Sequence, residues 1–368
     1  MNTKLIRLLV VDDSALARRL ITSSLEGCKD IEIVGTACDP YIARDKILEL
    51  KPDVVTLDIE MPRMDGITFL KLIMRHRPMP VIILSSLTRV GSEMALEALQ
   101  AGAVDVMEKS NGSYSGPFDG SKLAEKIRAA ACARVGALGG PPIVHAPVKP
   151  EHARQEVLNP RSFPSRSVIL LGASTGGTEA LKAVLTSLRP DLPGICIVQH
   201  IPAQFSKAFA DRMNQLCAME VREARHGDLV QAGLALVAPG GWHMMLKWQG
   251  GRYVIELNQG PPVHHQRPAV DILFDSAIKS GAAPHAVAAL LTGMGADGAA
   301  GLLRLREAGA ATIAQNEETC VVFGMPREAI RMGAAQQVLA LDQIGQCLDR
   351  AAMARASATD ESGRLHTT

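Results

Sequence analysis

A chain of 368 residues, 47% hydrophobic and 21% charged, is too long for one small module and too apolar for wholesale disorder or a fibrous repeat; at roughly 150 residues per domain it predicts two domains. Its 39 Lys plus Arg against 38 Asp plus Glu, with only 3% aromatic residues, leave no electrostatic footprint for nucleic acid and few platforms on which single strands could stack. The 7 cysteines contain no C-x-x-C pair and read as reduced thiols; the apolar run Leu8 to Val11 is stopped by Asp12 and Asp13, and no window approaches the roughly 20 apolar residues of a membrane span, so a cytoplasmic protein without membrane insertion is expected, with monomer as the default.

The first 110 residues alternate β-branched or Leu-rich runs with amphipathic stretches, the signature of β-α units around a parallel sheet. Strands are predicted at Ile6–Val11, Ile31–Ala37, Val54–Leu57, Val81–Leu84 and Asp105–Met107, with helical patterns starting near Ser14, Pro40, Asp65, Ser92 and Ser121. Between residues 136 and 166 the pattern stops and six prolines (141, 142, 147, 150, 160 and 164) appear. Proline lacks the N–H that either ladder needs, so this stretch reads as an extended linker. Periodicity resumes at Ser167. Strands are predicted at Val168–Leu171, Ile195–Gln199, Ala235–Ala238, Tyr253–Leu257, Val287–Leu291 and Ala311–Ala314, interleaved with helical patterns such as Thr178–Leu188 and Val270–Ser280. The expected organisation is an α/β domain over 1–135, a linker over 136–166, a second, mainly parallel α/β domain over 167–352, and a flexible, frayed tail over 353–368.

Carboxylates fall where such a sheet puts its ligand crevice, at the carboxyl ends of its strands. Asp12 and Asp13 follow the first strand and Asp58 the third. Acids also end strands and cap helices, and Asp13-Ser14 would suit that role alone. Three converging negative charges, however, favour a hard, oxygen-seeking cation such as Mg²⁺. Ser85 after the fourth strand and Lys109 after the fifth add a hydroxyl and an ammonium that would complement an acyl phosphate. These positions, in Val10-Val11-Asp12-Asp13, Leu57-Asp58-Ile59-Glu60-Met61-Pro62-Arg63-Met64-Asp65-Gly66, Leu84-Ser85-Ser86 and Glu108-Lys109, resemble the receiver domains of two-component response regulators over about the first 130 residues. The resemblance implies a five-stranded flavodoxin-like sheet, Asp58 as phosphoacceptor, Asp12, Asp13 and Asp58 as the Mg²⁺ ligands, Ser85 as switch hydroxyl and Lys109 as phosphate contact. It departs from many receivers at Val106, where an aromatic is common, and at Ser110, where a proline is.

In the second half, Leu170-Leu171-Gly172-Ala173-Ser174-Thr175-Gly176-Gly177 sets a serine among small residues at a strand-to-helix turn, where helix N–H groups face developing negative charge. A nucleophilic serine needs a base, and His200 ends the next strand, one β-α unit away. Leu291-Thr292-Gly293-Met294-Gly295-Ala296-Asp297-Gly298 supplies an acid in a glycine-rich loop, although Asp-Gly also suits an ordinary turn. The order serine, histidine, acid separates the chain from α/β-hydrolases, whose triads run serine, acid, histidine. With residues 264–271 and 321–330 it resembles the catalytic domain of chemotaxis protein-glutamate methylesterases over about 167–350, a family that joins it to a receiver in this order. That resemblance implies Ser174 as nucleophile, His200 as base, Asp297 as the acid orienting it, the Met294 main chain as oxyanion donor, and Thr175 lining the site. It also implies hydrolysis of glutamate γ-methyl esters on chemoreceptors, with deamidation of receptor glutamines, in chemotaxis adaptation. A chemotaxis histidine kinase would be the phosphodonor and methyl-accepting chemoreceptors the substrate, with the receiver acting as an inhibitory cover relieved by phosphorylation.

Several features carry less. Asn316-Glu317 stands where relatives often have an acidic pair. Met244, Met245, Trp242 and Trp248 read as core or rim rather than a cofactor site, and His264-His265 lacks a third ligand at metal-binding spacing, so metal is expected at the receiver and no cofactor in the esterase site. Two rivals fail on sequence. A DNA-binding output domain needs a helix-turn-helix and a basic face, and a dinucleotide-binding turn at 172–177 wants an acid after its second strand, where this chain has His200.

Overall fold

A computed structural model describes residues 5–85, 88–109, 119–136 and 163–364, with main chain only at 89–90 and 358–364. Two compact units divide at residues 142 and 143. Most of the expected linker, with all its prolines but Pro164, lies outside the described residues, as do Ser86 and Ser110.

The first unit is a five-stranded sheet built from β1 (Ile6–Val11), β2 (Ile31–Ala37), β3 (Val54–Asp58), β4 (Val81–Ser85) and β5 (Asp105–Glu108), in the order β2-β1-β3-β4-β5. All its pairings are parallel. β3 and β4 are buried along their whole length, which is why they read as largely apolar runs rather than alternating ones. The helices α1 (Ala15–Leu25), α2 (Pro40–Leu50), α3 (Gly66–His76), α4 (Arg89–Gln100) and α5 (Gly120–Ala131) connect them. Each begins with a short polar residue, Ser14, Asp39, Asp65, Thr88 or Asp119, whose side chain accepts a first-turn N–H; each such cap contributes about 1 kcal/mol. α3 shows the helical stripe plainly: Ile67, Phe69, Leu70 and Ile73 are buried, each contributing roughly 1.5–3 kcal/mol by leaving water.

The second unit has a seven-stranded sheet of β6 (Val168–Ala173), β7 (Ile195–Gln199), β8 (Glu220–Glu223), β9 (Leu234–Val237), β12 (Ala286–Leu290), β13 (Ala311–Gln315) and β14 (Gln337–Leu339). Its order is β14-β13-β12-β6-β7-β9-β8, and every pair is parallel. The chain winds outward from β6 in both directions, so the order reverses beside that strand, where open α/β sheets place their ligand crevice. The helices are α6 (Gly177–Ser187), α7 (Ala203–Leu216), α8 (Val270–Lys279), α9 (Ala299–Glu307), α10 (Met325–Arg331) and α11 (Leu341–Arg364). An antiparallel hairpin of β10 (His243–Gln249) and β11 (Arg252–Asn258) packs Met244, Leu246, Tyr253 and Ile255 into the same core as Val270, Leu273 and Phe274. Met244 is buried, Trp248 packs against this core and Trp242 stands at the rim, 38% exposed.

Both sheets therefore have the expected class, and the differences are the hairpin strand β10 and two edge strands. β8 (Glu-Val-Arg-Glu) and β14 (Gln-Val-Leu) were not expected; they are the outermost strands of their sheet, too short and too polar to show an apolar run. A frayed tail is expected over 353–368, and the structure carries α11 through Arg364; its middle turns are rich in alanine, at 351, 352, 354, 356 and 358, the strongest helix former.

Candidate functional site

In the first unit the chain leaves β1 at Asp12 and ends β3 at Asp58; these strands are neighbours, so the two carboxylates meet at one sheet edge, beside Asp13. Asp12 and Asp58 are buried and Asp13 is exposed. Lys109, just after β5, sets its Nζ 2.8 Å from Asp12 Oδ2 and 2.6 Å from Asp58 Oδ2. The Asp12 contact is an ion pair without hydrogen-bond alignment. The remaining oxygens are steered by main chain: Ser14 N–H donates to Asp12 Oδ1 (2.9 Å) and Glu60 N–H to Asp58 Oδ1 (3.2 Å). Burial pushes the Asp58 carboxyl up to about 6, against the opposing pull of Lys109 and with some help from the Asp12 charge. Burial would lower the Lys109 ammonium, but its pairing with the Asp12 and Asp58 carboxylates wins and holds it above its usual range. Ser85 ends β4, where Lys109 N–H donates to its carbonyl, and its Oγ donates to Gly91 O at 2.9 Å; the hydroxyl is thus engaged toward α4.

One lysine cannot balance three carboxylates, and ligand oxygens of Asp12, Asp13 and Asp58 lie within 4.8 Å of one another. An all-oxygen acidic donor set of this size suits Mg²⁺.

In the second unit, β12, β6 and β7 lie side by side with Leu290 opposite Gly172 and Ala173 opposite Gln199. This register brings Thr292, Ser174 and His200 to one edge. The ladder runs on into the loops: Leu291 N–H donates to Gly172 O (2.8 Å), Ser174 N–H to Thr292 O (3.0 Å) and His200 N–H to Ala173 O (3.1 Å). His200 Nε2 lies 2.8 Å from Asp297 Oδ2, and both side chains are nearly inaccessible, at 5% and 2%. Asp297 also accepts N–H bonds from Val270 (2.7 Å, Oδ2) and Asp271 (3.0 Å, Oδ1) at the start of α8. Burial works to raise the Asp297 carboxyl, but the His200 bond and charge together with these two N–H groups outweigh it, and Asp297 stays below the ordinary carboxylate range. A carboxylate so held is an acceptor that fixes the imidazole tautomer, leaving Nδ1 for proton transfer.

The glycine loop sits directly on the serine. A Cβ on Gly293 would come within 2.6 Å of Ser174 Cβ and 2.4 Å of Met325 Sδ, so only glycine fits there. Gly293 N–H donates to Val322 O, and its carbonyl accepts from Gly324 and Met325. The next N–H, that of Met294, has no acceptor among the described residues, as an oxyanion donor requires. Thr175 is buried at 5% exposure, and its carbonyl accepts from Thr292 Oγ1 at 3.0 Å. Ser174 and His200 are coupled here through main chain and through Gln199, whose Nε2 donates to Ser174 O at 2.8 Å; a direct serine–imidazole bond is often long until substrate binds.

Three residues escaped the sequence reading. Gln199 and Thr292 are buried and polar at the ends of all-apolar strands, a signal present in Ile-Cys-Ile-Val-Gln and in Leu-Leu-Thr. Asp271 is the third. The sequence offered no further ligand beside His264-His265, yet the fold sets His264, Asp271 and Asp297 ligand atoms within 4.8 Å. Those oxygens are committed: Asp271 Oδ1 accepts from Gly301 N–H (2.6 Å) and Oδ2 faces His264 Nε2 (3.2 Å). Burial and the neighbouring Asp297 charge raise the Asp271 carboxyl.

Comparison with known proteins places the chain among similar sequences. Residues 169–348 match the model of the CheB methylesterase family and residues 8–128 that of the response regulator receiver domain. A protein of Syntrophus aciditrophicus (strain SB), named protein-glutamate methylesterase/protein-glutamine glutaminase 2, is 53% identical over 347 residues, 92% of this chain and 97% of that protein. A like-named protein of Chromohalobacter salexigens is 48% identical over 367 residues, 99% of this chain and 100% of its own length. Among solved structures, the Thermotoga maritima CheB methylesterase catalytic domain is 36% identical, covering 50% of this chain and 96% of its own, with a TM-score of 0.48.

Proposed function

Because the chain belongs to the CheB methylesterase family and carries that family's catalytic domain behind a receiver, we propose that it is a phosphorylation-activated protein-glutamate methylesterase and protein-glutamine glutaminase of chemotaxis adaptation. The observation that carries the chemistry is the buried His200–Asp297 pair, 2.8 Å apart, with His200 one strand from Ser174 and Asp297 in the glycine loop that closes on that serine.

The reading assigns the following roles. Ser174 Oγ attacks the γ-carbonyl carbon of a methylated glutamate while His200 takes the hydroxyl proton through the ring nitrogen that Asp297 leaves open. The carbonyl oxygen becomes an oxyanion facing the Met294 N–H, with Thr175 lining the site. Collapse of the tetrahedral adduct breaks the C–O bond, and methanol leaves with the proton from His200. Water, deprotonated by His200, then attacks the acyl-serine, releasing the glutamate carboxylate and restoring Ser174. A glutamine side chain follows the same course with ammonia as leaving group, because ester and primary amide share the tetrahedral oxyanion.

Asp58 is the phosphoacceptor in this reading, fed by a chemotaxis histidine kinase. Asp12, Asp13 and Asp58 would hold Mg²⁺, which when bound offsets the negative charge of the phosphoryl group, while Lys109 contacts the phosphoryl oxygens and Ser85 is the switch hydroxyl. The substrates are methyl-accepting chemoreceptors, and the reaction is cytoplasmic; among the described residues no helix is long and apolar enough to cross a membrane.

The test is methanol release from methylated receptor by the full-length protein. Ser174→Ala, which removes the nucleophile and little else, is expected to cost several orders of magnitude in rate and to abolish labelling by a fluorophosphonate. Turnover within tenfold of the parent rules Ser174 out.

A further inference from the structure

β7 is a fully buried strand, Ile-Cys-Ile-Val followed by Gln199, and a glutamine there is chemically out of place. A leucine or methionine would fill the volume without a buried amide. Gln199 is 3% exposed, and its Oε1 has no hydrogen-bond partner, a desolvation cost that the fold bears. Its Nε2 shows where the compensation lies: it donates to Ser174 O at 2.8 Å and to His200 O at 3.2 Å. One planar amide thus touches the main chain of both the serine and the histidine. Room for it exists because residue 177 is glycine; a Cβ there would stand 2.1 Å from Gln199 Oε1.

Resting on the serine–histidine reading above, we propose that Gln199 is a positioning residue that fixes the spacing and direction of Ser174 relative to His200. Ser174 sits at the turn from β6 into α6, and its N–H is already held by Thr292 O and its carbonyl by Gly177 N–H. Neither bond refers to the histidine strand. His200 N–H donates to the Ala173 carbonyl, in the peptide unit that leads into Ser174. The Gln199 amide ties the following unit, at the Ser174 carbonyl, to the end of the strand that leads to His200. The two planes together set the Cα–Cβ direction of the serine, and hence whether Oγ meets the imidazole in line. Gln199 bonds the main chain of the serine and the histidine and not Oγ or the imidazole, so its effect falls on the geometry of attack rather than on substrate binding. Such a residue shows in kcat and not in KM.

The experiment uses the full-length protein with Gln199→Met, which keeps the volume and removes both donors, and Gln199→Asn, which keeps the amide but draws it back by one methylene. Active sites are titrated with a fluorophosphonate so that turnover is counted per competent site, which cancels any loss of folded protein. Both variants are expected to lose kcat and the fluorophosphonate reaction rate together, by roughly ten- to a hundredfold, with KM for the methyl ester within about twofold of the parent. The downfield proton resonance of the His200–Asp297 hydrogen bond is expected to shift or broaden, which a merely structural role would not cause. If either variant folds and reacts within twofold of the parent per titrated site, the proposal is overturned. A parent that the fluorophosphonate fails to label overturns the serine reading itself, and this proposal with it; the two failures are thus told apart.

Discussion

At Asp297 three donors converge on one carboxylate: the His200 ring and the N–H groups of Val270 and Asp271. Asn in its place could accept from the main chain but would present an amide donor toward the ring and could not stabilise the imidazolium. Asp297→Asn is therefore expected to bind substrate normally and turn over about 10³–10⁴-fold more slowly, measured as kcat and KM for methanol release; a loss confined to KM would remove Asp297 from the triad. Asp58 poses a different question, because its carboxyl titrates at about 6 in the folded protein against roughly 3.9 when unfolded. The folded state binds its proton more tightly, so the stabilisation from neutral Asp58 is fully present below about pH 4 and is lost as pH rises through about 6. Asp58→Asn stays neutral throughout. With metal removed by a chelator, β3 amides of this variant are expected to exchange more slowly than those of the parent at pH 7–8, by the equivalent of about 1–2 kcal/mol after discounting for partial screening. The gap should close toward pH 4; equal protection at pH 8 would show that the buried charge costs nothing. Sequence marked these residues as candidates because each follows a strand. It could not show the depth of burial, which is what moves the Asp58 proton.

Elements set these residues by register, and the decisive contact is between two turns. The loop after β12 reaches Ser174 because Gly293 has no side chain: a Cβ would stand 2.6 Å from Ser174 Cβ. Gly293→Ala is expected to displace the loop, and with it the Met294 N–H, costing on the order of 10²-fold in kcat with the thermal midpoint lowered modestly. Unchanged methanol release would mean that this close approach does not shape the site. Strands such as Val81–Ser85 and Ile195–Gln199, buried along their whole length, show in the sequence as continuous apolar runs, and even the edge strand Ile31–Ala37 is legible through its β-branched residues. Those it missed are edge strands: β8 has Glu220 exposed and only Val221 buried, and β14 has no buried residue. β10 was hidden for another reason, since its alternation, His-Met-Met-Leu-Lys-Trp-Gln, breaks at paired methionines.

For the whole molecule, the expectation is a receiver tethered to an esterase by roughly 30 Pro-rich residues. Such a tether keeps the effective concentration of the receiver high, so even weak association would restrain the esterase much of the time. In the proposed reading, phosphorylation of Asp58 would add charge for Lys109 and Ser85 to bind and so bias that association. Deleting residues 1–140 is expected to raise basal methanol release above that of the unphosphorylated full chain. Beryllofluoride with Mg²⁺ should activate the full chain but not Asp58→Ala. A truncated protein no faster than the unphosphorylated whole would leave the receiver only a positive role. Sequence alone determined the two α/β units and the edge at which their chemistry lies, because apolar periodicity records burial and residues after parallel strands share one end of a sheet. Tertiary structure alone decided the rest. Strand order set Asp12 beside Asp58 and placed β6 between β7 and β12; pairing across 97 residues joined His200 to Asp297; and close packing gave Gln199, Thr292 and Asp271 their partners. Those contacts depend on distances between segments far apart in the chain, which no local pattern of residues encodes.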